Sequence, residues 1–415
     1  METSQGKRIL YEARCLLALL PMIYVLTLMW WIPEGAKYVP GLTLFSLLFY
    51  PLLGGRFERE KELLDKQRPL LFGLWGVVLT GGLVYALKGS SWSELRAFLA
   101  AALYLTVFRG VRVPRMSLLA VLVISAIGFA VHGYYQYSHG VFRVHGFINP
   151  IPYATAVGAL SLVCLALAVF GRVPAWQRVV FTLAGLATAV TVMMTRTRGV
   201  IIPFIIIVCG VFAVHYLLTH RGKVSRSLVV SLLLVSGLAV FAGSMMEGRI
   251  QQTMNEYESI VDGNYGGSIG VRLQLWLSAQ HLVADAPVIG HGSDYREALE
   301  QLYEEGKIEV GLYRFGANHF HNQYVDALVK KGVLGLVALL LLLLATVRLA
   351  WASPSGDWRR YGGLVITLMF ATAALTDVPL VHAETIFLFL TLTIAIGAVA
   401  DRKERGDRSG VITLS

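Results

Sequence analysis

Charge is scarce in this chain. Only 15% of its 415 residues are Asp, Glu, Lys or Arg, whereas 56% are hydrophobic. Soluble domains run near a quarter charged. One water-soluble core cannot hide so much apolar surface, so lipid must solvate most of it. Cysteine is scarcer still. Cys15, Cys164 and Cys209 are the three, all in apolar runs and in no Cys-x-x-Cys pair. That excludes a disulfide framework and a structural zinc site, and it reads the three as buried small hydrophobes. Phosphate loops of the Gly-x-x-x-x-Gly-Lys type, His-Glu-x-x-His and Asp-x-Asp are absent. Gly290-His-Gly292 is too short for a dinucleotide fingerprint. Asp262, Asp285 and Asp294 are scattered loop charges. Nucleotides, metals and other cofactors are therefore not expected. Internal repeats and low-complexity tracts are also lacking.

What is present is a series of long apolar runs. Gly335 to Val347 is almost unbroken Leu, Ala and Val, and Gly199 to Leu218 holds no Lys, Arg, Asp or Glu. Roughly 20 apolar residues cross a hydrocarbon core of about 30 Å as a helix. The fold class is therefore an all-α polytopic membrane protein, one transmembrane domain over 1–415. Twelve spans are read at 15–32, 38–53, 69–87, 93–108, 116–135, 151–171, 179–195, 200–218, 227–245, 325–348, 362–381 and 384–400. The first is long enough to stay in the membrane and shows no clear signal-peptide cleavage site.

The net charge of +10 is spread in short clusters between spans, so it reads as topology and not as a nucleic-acid face. Lys7, Arg8 and Arg14 flank the first span. Alternate loops carry Arg56, Arg59, Lys61, Lys66 and Arg68; Arg109, Arg112 and Arg115; Arg172 and Arg178; Arg221, Lys223 and Arg226; Arg359 and Arg360. The tail adds Arg402, Lys403, Arg405 and Arg408. The positive-inside rule puts both termini in the cytoplasm. Lys330 and Lys331 break the pattern, which suggests that the tenth span begins after them.

One connection differs from the rest. Residues 247–321 form a large outer loop between the ninth and tenth spans. Val271 to Ala284 reads as a helix with Leu273, Trp276, Leu277 and Val283 on an apolar stripe. Asp294 to Gly306 reads as another, with Asp294 and Glu297 spaced like a capping box and Gly306 as the stop. Long ordered loops in tightly connected proteins are usually functional.

Two features stand out against this background. Thr195-Arg196-Thr197-Arg198-Gly199 places two arginines at an outer helix end, against the charge bias. Arg196 and Arg198 are either snorkelling anchors or an anion clamp, since guanidinium presents a planar fork that fits phosphate. His319-Phe320-His321-Asn322 closes the large loop, which also holds Arg272. Histidine there is either structural or a base able to take a hydroxyl proton. Arg143 and Asp377 are further candidates at outer ends. The first is an anchor or a sugar or phosphate contact; the second is a helix cap or an imidazole partner.

His321-Asn322, nine residues, then Gly332-Val-Leu-Gly335 resembles the His-[Asn/Ser/Gln]-x9-Gly-x-x-Gly pattern of O-antigen ligases, within a wider ligase and polymerase superfamily. Arg198-Gly199 is similar to the Ser/Thr-Arg-Gly signature of that superfamily. Arg272-x-x-x-Trp276, Gly290-His-Gly292 and Phe147-Ile-Asn149-Pro150 also look like elements of the family. The resemblance implies a GT-C-like glycosyltransferase in the bacterial inner membrane. It implies a donor glycan on undecaprenyl diphosphate, and as acceptor a sugar hydroxyl of lipid A-core oligosaccharide on the periplasmic face. Arg198, Arg272 and His321 would carry the chemistry, with His321 as base and no metal. Attack at the anomeric carbon would invert it. Arg143, Arg196, His319, Asn322 and Asp377 would bind substrate. Other readings remain: an O-antigen polymerase, a protein oligosaccharyltransferase, and, in a different class, a lipid-linked glycan flippase.

Overall fold

The computed structural model describes residues 4–52, 59–220, 226–308 and 316–399. Several topology charges fall outside these residues: Arg56, Arg221, Lys223 and the tail Arg402, Lys403, Arg405 and Arg408. The side chains of Lys7, Arg8 and Arg226 are likewise outside the description.

The described chain is helical, with a single isolated bridge between Val113 and Val399. Fourteen α-helices follow in order: α1 Ser4–Leu26, α2 Val39–Leu52, α3 Lys61–Lys88, α4 Trp92–Phe108, α5 Arg115–Ser138, α6 Pro150–Phe170, α7 Ala175–Met194, α8 Arg198–His220, α9 Arg226–Val261, α10 Ser268–Asp285, α11 Tyr295–Glu304, α12 Gln323–Trp351, α13 Trp358–Ala373 and α14 Ala383–Gly397. Seven of the described helical segments are long and apolar enough to cross a membrane, among them α3, α5, α6, α7, α8 and α12. The protein is therefore a multi-pass membrane protein in its helical architecture.

Local chemistry sets the helix starts. Asn149 accepts from the Ile151 amide at 3.0 Å, and Pro150 follows it at the first helical position of α6, where a missing N–H is harmless. Ser91 caps α4 and Asp357 caps α13 in the same way. The centre of the bundle is α6, buried along nearly its whole length among α5, α7, α8, α13 and α14.

The basic loops meet at one end of this bundle. Arg112 pairs with Glu60, with Nη2 at 2.7 Å, and donates to the Val399 carbonyl at 3.1 Å. Arg115 donates to the Arg172 carbonyl at 3.1 Å, and Arg359 reaches the same Val399 carbonyl at 3.3 Å. Thr195 to Arg198, α10 and α11 belong to the opposite end, because α7 runs its full length away from Arg172.

Several sequence expectations shift. The ninth helix does not stop near residue 245; α9 continues to Val261 and carries Arg249, Thr253 and Glu256 with it. The buried face of α10 is Leu275, Ala279 and Leu282, spaced at four and three residues. Trp276 and Val283 only flank it, and Leu277 is 59% exposed on another face. The capping box is not formed. Asp294 ends a 3-10 turn, and its carboxylate lies 3.7 Å from Lys88 instead of bonding the helix amides. Gly306, at φ +70°, does terminate α11. Cys164 is buried, but Cys209 is exposed on α8, a face that lipid would cover.

The helix of the tenth span starts at Gln323, before Lys330 and Lys331, and is interrupted just after them. α12 breaks at Gly332, whose φ of 62° and ψ of −165° are open only to glycine. Lys330 and Lys331 precede the break. Lys330 pairs with Asp326 at 2.8 Å, and Lys331 pairs with the buried Glu94 of α4. Residues 287–291 cross the chain here. The His291 amide donates to the Val329 carbonyl at 2.8 Å, and the Val333 amide to the Pro287 carbonyl at 2.8 Å. A Cβ on Gly332 would sit 2.2 Å from the Val288 carbonyl oxygen, and one on Gly290 2.5 Å from the Lys330 carbonyl carbon. Both glycines are backbone crossing points.

Candidate active site

A cavity of about 510 Å³ lies where α8, α9, α10 and the loop after α13 converge. Arg143, Arg198, Arg249 and Arg272 line it. Its other wall is apolar, built from Ile151, Ile202, Pro203, Ile269, Trp276 and Leu375. Ile202 and Leu375 are more than half exposed, so the apolar wall continues onto the outer surface of the bundle.

Each guanidinium is held by a different element. Arg198 opens α8 and donates to the Thr253 hydroxyl and, at 3.2 Å, to the Arg249 carbonyl, both on α9. Its Nη2 lies 3.9 Å from the buried Glu256 carboxylate. Glu256 also accepts from the Ile269 amide at 3.1 Å and so ties the start of α10 to α9. Arg272, one turn into α10, donates to the Ser268 hydroxyl at 2.8 Å. Arg143 donates to the Thr195 carbonyl and the Thr197 hydroxyl, at 3.3 and 3.2 Å. Arg249 donates to Gln252 at 2.6 Å. The Nε atoms of Arg249 and Arg272 are buried without a hydrogen-bond partner among the described residues.

Burial lowers the pKa of Arg143, and the positive charges of Arg249, Arg198 and Arg272 push the same way. Burial also lowers that of Arg272, opposed by Asp377 and Glu256. These shifts leave both side chains protonated. The cavity region thus holds two more guanidinium groups than carboxylates. It is built to receive an anion.

The two histidines adjoin this cavity without lining it. Trp276 lines it and donates through Nε1 to the Phe320 carbonyl at 2.9 Å, which fixes the residue between the histidines. Thr376 lines it, and Asp377 is next in sequence. The Asp377 carboxylate is buried and faces both imidazoles, with Oδ1 3.5 Å from His321 Nδ1 and 3.7 Å from His319 Nδ1. The rings meet edge to face with centroids 4.3 Å apart. His321 has φ 49°, in the left-handed region that non-glycine residues rarely occupy. Burial pushes His319 down to about 4, against the charge of Asp377 and with that of His321, so it is neutral at pH 7. Burial tends to raise Asp377, but the adjacent imidazoles of His321 and His319 outweigh it and hold the carboxyl below its usual range.

The motif spacing has a physical basis here. Asn322 caps α12, its side chain accepting from the Tyr324 and Val325 amides at 3.0 and 3.2 Å. Nine residues of helix then reach the break at Gly332. Asn322 is therefore spent on the helix start. The Gln323 amide donates to the Asp377 carbonyl at 3.0 Å and to the Ala374 carbonyl at 2.8 Å, and so brings the loop after α13 to the histidines.

Of the residues singled out in the sequence, Arg143, Arg198 and Arg272 come together in the cavity. His319, His321 and Asp377 come together beside it. Arg196 does neither; its guanidinium stacks 4.1 Å over the exposed Phe142 ring. His319 does not point away from His321, as it would on a helix. The segment before α12 is irregular, and both rings address one carboxylate. Arg249 and Glu256 were missed, because residues 247–261 read as loop when they are the exposed end of a long helix. Asp377, read as a helix cap or an imidazole partner, faces both imidazoles, and the three ligand atoms fall within 4.8 Å of one another.

Residues 183–340 match the family model described as O-antigen ligase. The O-antigen ligase of Escherichia coli (strain K12) is 23% identical over 224 residues, 54% of this chain and 52% of that protein. An uncharacterised protein of Haemophilus influenzae (strain ATCC 51907 / DSM 11121 / KW20 / Rd) is 28% identical over 138 residues, 32% of this chain and 34% of that one. The matches thus span about half and about a third of those relatives. The matched region holds Arg198, Arg249, Arg272, both histidines and the Gly332 break, and over it the protein is similar to the O-antigen ligase family.

Proposed function

We propose that this protein is an O-antigen ligase: it transfers a glycan from undecaprenyl diphosphate to a sugar hydroxyl of lipid A-core oligosaccharide. The observation that carries the reading is the four-arginine cavity with one apolar wall beside His321 and Asp377. A diphosphate diester carries two negative charges, which matches the excess of guanidinium groups over carboxylates. The apolar wall suits the start of a polyprenyl chain entering from lipid.

In this reading the helices α1–α9 and α12–α14 are twelve spans with both termini cytoplasmic. The segment from the end of α9 through α11 is the periplasmic loop. The basic loops gathered at one bundle end, opposite the cavity, support that orientation under the positive-inside rule.

The chemistry follows from the groups present. The acceptor hydroxyl oxygen attacks the anomeric carbon, and His321 takes its proton. The carbon–oxygen bond to the diphosphate breaks, and the electron pair leaves on undecaprenyl diphosphate. Attack opposite the leaving group inverts the anomeric centre. The leaving group is already a stable anion, so fixed positive charge where negative charge grows does the work of an acid. Arg198, Arg249 and Arg272 supply it, with Arg143 beside them. A base in this place is worth roughly 10²–10⁴ in rate. Asp377 orients the His321 ring through Nδ1 and leaves Nε2 to accept the proton. The reaction needs no metal.

Purified protein, lipid-diphosphate glycan and rough lipopolysaccharide test the proposal together. Transfer yields a lipopolysaccharide ladder on a gel. Growth of the glycan on its lipid carrier instead identifies a polymerase, and labelling of a protein acceptor an oligosaccharyltransferase. Translocation across a vesicle without bond formation sinks the transferase reading.

A further inference from the structure

We infer that His319, His321 and Asp377 form a binding site for one divalent transition ion of the zinc class. On the proposed reading its occupancy switches the enzyme off. Each of these three side chains offers one ligand atom, and the three atoms lie within 4.8 Å of one another. The two distances to Asp377 are closer still to those of a real coordination shell. A tetrahedral ion with bonds of about 2.0–2.1 Å holds its ligand atoms about 3.3 Å apart. Asp377 Oδ1 stands 3.5 Å from His321 Nδ1 and 3.7 Å from His319 Nδ1. Both Asp377 sides of the triangle are within a few tenths of an ångström of that spacing.

The surroundings favour an ion over a mere ion pair. Asp377 is only 3% exposed, so its charge is weakly screened and its carbonyl is anchored by the Gln323 amide. The His319 Nδ1 accepts only a long bond from the His321 amide, at 3.4 Å, which an ion would displace. Both imidazole side chains keep about a fifth of their surface exposed. Two imidazoles and one carboxylate suit zinc, copper, nickel or cobalt; calcium and magnesium take six or more oxygens and are not served.

The metal then disables the base without entering the acceptor's place. An ion on His321 Nδ1 adds a positive charge to the ring, and Nε2 loses its basicity. Only this consequence rests on the ligase reading; the site itself stands on the geometry.

The test uses full-length protein in detergent micelles. Cobalt titration is followed by visible absorption, and zinc affinity by competition with a chromogenic chelator. One equivalent should bind. His319→Ala and Asp377→Asn should each weaken binding at least tenfold. His382→Ala should leave it unchanged, although His382 is close enough to act on the Asp377 charge. X-ray absorption of the zinc-loaded wild type should show two imidazoles and an oxygen ligand, which settles the matter even if a variant misfolds. No stoichiometric binding, fewer than two imidazoles, or unchanged affinity in both variants overturns the inference. Separately, one equivalent of zinc should stop glycan transfer and EDTA should restore it. A protein that binds the ion but never transfers glycan keeps the site and removes the ligase reading.

Discussion

Gly332→Ala asks whether the break in α12 is what holds the loop to the membrane domain. An alanine Cβ there would lie 2.2 Å from the Val288 carbonyl oxygen, on a backbone at φ 62°. Two routes are open to the variant. Retaining the conformation costs about 1–3 kcal/mol of backbone strain, before any clash is relieved. Releasing the crossing loses three hydrogen bonds: His291 to Val329, Val333 to Pro287, and Leu334 to Val288 at 3.3 Å. At about 1 kcal/mol each, that is about 3 kcal/mol. The clash with a carbonyl makes release the cheaper route. Amide exchange at 291, 333 and 334 should then accelerate roughly 100-fold, at 1.4 kcal/mol per decade. Hydrogen–deuterium exchange by mass spectrometry reads this directly. Glycan transfer should drop at least tenfold, because α10 and its Trp276 bond to Phe320 move with the crossing. Gly76→Ala is the control, since nothing lies within 4 Å of a Cβ there. Exchange within threefold of wild type in Gly332→Ala, with full transfer, would refute the argument.

Three further outcomes are expected. His321→Ala should lower transfer by roughly 10²–10⁴ with donor binding nearly intact, while Asp377→Asn should lower it less, by loss of ring orientation; calorimetry with donor lipid beside a transfer assay separates the two effects. Arg249→Ala, like Arg198→Ala and Arg272→Ala, should weaken donor binding roughly 10- to 100-fold, the equivalent of about 1.5–3 kcal/mol for a charge-assisted bond, and lysine should rescue each only in part because it loses the fork. Transfer should survive EDTA in full; activity lost on chelation and restored by a divalent ion would show that the ion drives the reaction and does not block it.

Much of the architecture was legible in the sequence because hydropathy is a local property. Each of the twelve expected spans overlaps a helix, and the errors fall at the ends. Residues 247–261 carry charge every few positions, so they read as loop; continuity with α9 decides otherwise. Arg198, Arg272 and His321 were legible because they break the pattern around them or match a motif. Arg249 and Glu256 break nothing on a polar helix end, and only the approach of α8 and α10 gives them a role. Asp377 was legible only as one of two readings, a helix cap or an imidazole partner. Its partners are remote in sequence, and the bonds from the Gln323 amide that bring them together are backbone bonds, which leave no residue preference to read. Leu277 erred for a different reason. An apolar residue on a short interfacial helix has two apolar places to go, and periodicity alone does not choose between them.

The burial of α6 has a consequence for biogenesis. This helix is long and apolar enough to cross a bilayer, yet protein covers it on nearly every side in the finished molecule. Its coat includes α13, which is synthesised almost 200 residues later. During synthesis α6 must therefore wait in lipid with one flank open, and lipid tails must leave that flank when α13 arrives. Two of its inner hydroxyls are satisfied early: Thr155 bonds back to the Ile151 carbonyl at 2.9 Å and Ser161 to the Gly185 carbonyl at 2.7 Å, both formed by α6 and its immediate successor α7. The last step of assembly is then an exchange of lipid for side chains around a helix already in place, driven by close packing because no water remains to be expelled.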